Sequence, residues 1–117
     1  MSTWDSEIFN DDANEEFLAE LDGLPEDDIV EAVRDACLLT LKQGNVSAEE
    51  EANGLAAATI AAIWAGAPFS AAEIVDTHPF IRDLIGSADA ELCEAAAQVL
   101  ETAETETDID QFIEAVS

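Results

Sequence analysis

Cations are what this sequence most lacks. Its 117 residues include 28 acids and only 3 bases, for a formal net charge of -25. Between Met1 and Glu31 there are twelve Asp or Glu and no Lys or Arg, and the first cation is Arg34. Direct nucleic-acid binding draws on Lys and Arg to neutralise phosphates, so the composition excludes it.

Other scarcities exclude further classes. The chain has one histidine, His78, and two cysteines, Cys37 and Cys93. A zinc site needs several such ligands close together, and a disulfide-stapled fold needs more thiols. Five scattered glycines form neither GxGxxG nor GxxxxGK[ST], so no phosphate-cradling loop exists and no cofactor is implied. The start shows no basic segment followed by an apolar one, so no signal peptide is read and the expected compartment is cytoplasmic. No charge occurs from Ala52 to Ala72, which raises a membrane span. Asn53, Gly54, Thr59, Gly66, Pro68 and Ser70 interrupt that stretch and no positive flank orients it, so a buried central helix is expected and no membrane contact.

What is present is alanine and helix punctuation. Hydrophobic residues make up 49% of the chain, many of them alanine, against 6% aromatic. Alanine has the best helix propensity. The reading is all-α: one domain over 1–117, a compact irregular bundle of five or six helices, with an extended N-terminal arm at 1–11. Asp12 with Glu15 suits a capping box for a first helix that Gly23 ends. Pro25 suits the first position of a second helix, which runs through Ile29, Val33 and Cys37 to Lys42. Ser47 with Glu50 opens a third helix, apolar nearly all round and therefore central. Ser70 with Glu73 opens a short helix that His78-Pro79 interrupts. Ser87 caps the next, with Leu92, Cys93, Ala96, Val99 and Leu100 facing the core. A linker at 104–107 precedes a last short helix capped by Thr107.

No constellation rises to a catalytic signature. Asn10, Asp12 and Asn14 have the alternate spacing of a calcium loop. Glu15 then occupies the place of the turn glycine and Leu21 that of the bidentate glutamate, so no metal site is assigned. His78 could pair with Cys93 or Cys37, but both cysteines sit in apolar patterns, which favours inert thiols. With 28 carboxylates, some close pair is expected by chance. An enzyme using buried carboxylates or His78 therefore stands only as an alternative.

The N-terminal arm is the part most suggestive of recognition. Trp4 and Phe9 bracket it, and Asn10, Asp11 and Asp12 offer more short polar groups than one helix start needs. If the arm binds, Trp4, Phe9, Asp11 and Asp12 are the candidate residues. The simpler reading has the two aromatics tucked into the core and the aspartates capping the helix.

The run Thr3-Trp4-Asp5-Ser6-Glu7-Ile8-Phe9-Asn10-Asp11-Asp12-Ala13, followed by Phe17-Leu18, resembles the opening of a family of small bacterial proteins of unknown function, with its W-G-x-G-x-F-x-N-D-x-A-like signature. This chain has Asp5 and Glu7 where that signature has glycines. The resemblance implies an alanine-rich helical domain of similar length and no activity, cofactor or catalytic residue.

Three meanings of the charge compete: a solvated surface without a message, a surface that steers a basic protein partner, and a mimic of the DNA phosphate array that inhibits a nucleic-acid-binding protein. The functional expectation is a non-enzymatic binding or accessory module, of the immunity type, acting on a basic protein. Oligomeric state is not read from the sequence.

Overall fold

A computed structural model describes residues 8–9, 11–42, 48–67, 72–102 and 110–116. Besides the helical Ile8 and Phe9, seven α-helices and no strand occur among these: α1 Asp12–Asp22, α2 Glu26–Lys42, α3 Ala48–Trp64, α4 Ala72–Thr77, α5 Phe80–Asp83, α6 Ala90–Thr102 and α7 Asp110–Val116. Only His78 and Pro79 separate α4 from α5, so the pair is one broken helix and the architecture is an all-α bundle of six. Trp4, Ser47, Ser70, Thr107 and the linker 104–107 lie outside the described residues.

The centre is α3. Gly54 and every residue from Ala56 to Trp64 are buried. Helices α1, α2, α5, α6 and α7 all pack against it. Thr59, buried within it, gives its hydroxyl proton to the Leu55 carbonyl at 2.8 Å, so an interior polar group is satisfied by its own helix. At the end of α3, Trp64 donates its indole N–H to the Ile81 carbonyl at 3.1 Å, tying α5 to the core. Gly66 and Gly86 have φ of +115° and +96°, a region that favours glycine. The Gly86 N–H bonds the Trp64 carbonyl at 2.8 Å, closing the turn after α5 back onto α3.

The surrounding helices follow their apolar spacing. Asn14, Leu18 and Leu21 are the buried face of α1, and Ile29, Val33 and Cys37 that of α2. Leu92, Ala95, Ala96, Val99 and Leu100 repeat at i, i+3, i+4, i+7 and i+8 and form the buried face of α6. Phe112 and Val116 of α7 complete the same cluster. Helices α2 and α3 cross at Gly54, where a Cβ would stand 2.0 Å from the Thr40 hydroxyl oxygen. Glycine is required there by proximity, not by a turn.

Three local expectations shift. The cap of α1 is Asp11, whose carboxylate accepts from the Ala13 N–H at 3.0 Å, so Asp12 is the first helical residue and Glu15 falls outside a capping box. The start of α6 is capped by Asp89, not Ser87: its Oδ1 accepts from the Leu92 N–H at 2.8 Å. An aspartate three residues before Leu92 reaches that amide directly, whereas Ser87 lies in the preceding turn, its own N–H bonded to the Leu84 carbonyl. The described part of the arm is not extended: Ile8 and Phe9 are helical and buried. The Asn14 side chain donates to the Ile8 carbonyl at 2.7 Å and fastens this turn to α1.

Candidate functional site

Charge separates cleanly from the core. The only buried polar residues among those described are Asn14 and Thr59, so every carboxylate whose side chain is described reaches solvent at least in part. Two of the three cations are engaged by acids. Arg34 of α2 holds Asp89 at 2.6 Å, and Arg82 lies 3.9 Å from Asp76 on the exposed side of the α4–α5 break. Asp89 therefore does two jobs, capping α6 with one oxygen and binding Arg34 with the other.

A groove of about 620 Å³ runs along α6. Ala90, Cys93, Glu94, Ala97, Gln98 and Glu101 line it, at i, i+3, i+4, i+7, i+8 and i+11. At about 100° per residue these positions form one stripe, opposite the Leu92–Val99 face that enters the core. Ala115 and Val116 of α7 supply further lining. The result is an apolar floor of small side chains with glutamates on its rim. No Lys or Arg lines it. A second, smaller pocket of about 180 Å³ is formed by Asp76, Pro79, Arg82 and Asp83 at the α4–α5 break.

The thiols differ in setting. Cys37 is fully buried, and burial pushes its thiol up to about 12. Cys93 is half-buried in the groove; desolvation first, and the nearby Asp89 carboxylate second, push its thiol upward as well. A nucleophilic thiol needs the opposite shift. His78 pairs through Nδ1 with Asp22 of α1, and its ring meets Phe80 edge-on at 6.2 Å between centroids. It joins the end of α1 to the α4–α5 break, and it lines neither described cavity. The described residues contain no group of three or more His, Cys, Asp or Glu able to hold a metal.

Of the arm's four candidate residues, three are described. Phe9 is 0% exposed and belongs to the core cluster. Asp11 is committed to the α1 cap, Asp12 is exposed beside it, and Trp4 lies outside the described residues. Of the calcium-loop positions, Asn14 points inward to Ile8 and Asp12 begins a helix, so the spacing is not that of a metal loop. The α6 groove was missed by sequence reasoning. Its signal was the alternation of alanines and glutamates on one stripe of α6, which a reading focused on the core face passes over. No described helix is long and apolar enough to cross a membrane.

A family model described as Domain of unknown function (DUF4259) matches residues 2–116. No curated protein and no solved structure matches the chain.

Proposed function

We propose that this chain, which belongs to the DUF4259 family, is a non-enzymatic binding module that engages a basic protein partner, in the manner of an accessory or immunity-type inhibitor. One observation carries the reading: among the residues whose side chains are described, the buried apolar ones form a single core and the carboxylates stand outside it, with only 3 bases in the chain to set against 28 acids. An outward field of that size raises the encounter rate with a cationic partner and repels an anionic one. The chemistry of the thiols points the same way. Both are shifted from the thiolate form, so a Cys–His pair has no ready nucleophile.

The test is affinity isolation with the folded chain at low ionic strength, run beside polyglutamate of matched charge. The expected result is a basic protein retained by the folded chain, not by polyglutamate, and released by salt. Recovery of no such protein across growth conditions overturns the reading. If the retained protein is a DNA binder and DNA displaces it, the inhibitor is a phosphate mimic. If DNA has no effect, that variant is removed.

A further inference from the structure

We infer that the α6–α7 groove is the docking surface for a cationic amphipathic helix of the partner; this rests on reading the chain as a module for basic proteins. Lining residues run from Ala90 to Glu101 along α6. At 1.5 Å of rise per residue that is about 16 Å, or three helical turns of an occupant. The floor is made of Ala90, Cys93, Ala97 and Ala115, all short enough to let a helix axis approach to about 8–10 Å. An extended peptide has less to gain, since the described residues contain no strand and hence no sheet edge to pair with.

Charge decides the occupant. Glu94 and Glu101 line the groove and no cation does. Glu91 and Glu114, both exposed, lie on the same two helices. Arg34 of α2 is already held by Asp89, the residue next to Ala90 at the end of the groove. A segment bearing Lys or Arg on both flanks of a small apolar stripe places cations over these glutamates and methyl groups over the alanines. A second copy of this chain brings like charge to like charge, at -25 per chain.

Cys93 provides a built-in reporter. It lines the groove, whereas Cys37 is fully buried, so a maleimide on the native chain reads the groove. The probe is a synthetic helical peptide of about fourteen residues built from Lys, Leu and Ala, long enough to form a helix on binding. A scrambled peptide of the same composition is the comparison. The expected result is that the amphipathic peptide protects Cys93 from the maleimide and the scrambled one does not. Ala97→Arg, which fills the groove, and the surface pair Glu94→Lys with Glu101→Lys each weaken binding about tenfold, the size of a lost central contact. Glu16→Lys with Glu20→Lys, an equal charge change on α1, has a several-fold smaller effect.

If both peptides bind equally, or the groove variants weaken binding no more than the α1 pair, the groove is not the site and the broader reading survives. If no cationic peptide binds at low salt, the broader reading falls with it. If the free chain dimerises and Cys93 is protected in the dimer, the occupant is a second copy and the inference is overturned.

Discussion

Helices α3 and α6 are both rich in alanine, yet their alanines meet opposite surroundings. In α3 the residues from Ala56 to Trp64 are covered on every side. In α6 Ala95 and Ala96 enter the core, while Ala97 and Ala90 face a groove between glutamates. Propensity does not distinguish them, since alanine favours either helix equally. The spacing of charge does. Helix α3 carries its acids in the first turn and none from Ala52 onward, so nothing prevents neighbours from closing round it. Helix α6 repeats glutamate at 91, 94 and 101, so one stripe must stay in water and the small residues on it stay open. Alanine thus serves as close-packing material in one helix and as the floor of a docking surface in the other.

Truncation should expose this contrast most strongly. Ile60→Ala in α3 removes a fully buried side chain that neighbours on all sides cannot follow inward, and should cost about 3–4 kcal/mol in urea unfolding. Gln98→Ala on the groove side of α6 should move stability by no more than about 0.5 kcal/mol. Equal losses at the two positions would mean that α3 is not the closed centre.

The complementary test adds an atom instead of removing several. Gly54→Ala gains about 0.5–1 kcal/mol of helix propensity. Against that, the new Cβ lies 2.0 Å from the Thr40 hydroxyl oxygen and 2.8 Å from its Cβ, so α2 and α3 must part. A net loss of about 2 kcal/mol is expected by thermal or urea unfolding. Gly23→Ala is the matched control. Its Cβ would meet only the Glu20 carbonyl, at 3.6 Å, and its φ is -86°, so the change should be near zero.

These residues also show what the sequence conveys and what it withholds. The uncharged, mostly apolar stretch after Ala52 identified α3 as central, and the Pro25, Gly23 and Lys42 signals placed the ends of α1 and α2 within a residue or two. Caps were harder. Asp11 and Asp12 are chemically equivalent, and only the chain path decides which carboxylate faces the free amides. The same holds for Ser87 and Asp89, where the reach to the Leu92 amide selects the aspartate. Asn14 carries a role that the spacing did not announce: it is buried and its side chain donates to the Ile8 carbonyl, a contact set by where the arm turns. Periodicity held half of the groove, the alanine and glutamate stripe of α6; the other half depends on α7 returning alongside, which the spacing within α6 does not encode.

The cysteines carry the comparison into pH. Cys37 sits in the closed part of the fold, with its thiol raised from the ordinary value of 9.0 to about 12. Below the unfolded value the thiol is neutral in both states, and this contribution to stability is fully present. Above it the unfolded chain ionises while the folded thiol does not, so stability falls as pH rises toward the folded value. The slope is at most about 1.4 kcal/mol per pH unit, giving a loss of roughly 2 kcal/mol by pH 10.5. With no tyrosine and a single lysine, the main other group in that window is the half-buried Cys93 thiol, which is shifted the same way. Urea unfolding at stepped pH should show the decline, and Cys37→Ala should flatten most of it. A decline that persists unchanged in the variant would place its cause elsewhere.

The smallest effect concerns how the open helix is held. Asp89 caps α6 and binds Arg34, and the two roles separate by substitution. Asp89→Ala loses both and should cost about 1–1.5 kcal/mol. Asp89→Asn keeps an oxygen for the Leu92 amide and gives up only the charge. The pair is part-exposed, with side-chain exposures of 27% and 53%, so solvent screens it and its share should stay below about 1 kcal/mol. Asn should therefore recover more than half of the loss caused by Ala, and Arg34→Gln should resemble Asn more than Ala. If Asn is as damaging as Ala, the Arg34 contact, not the cap, fixes the start of α6. The groove would then take its geometry from α2 as well as from α7.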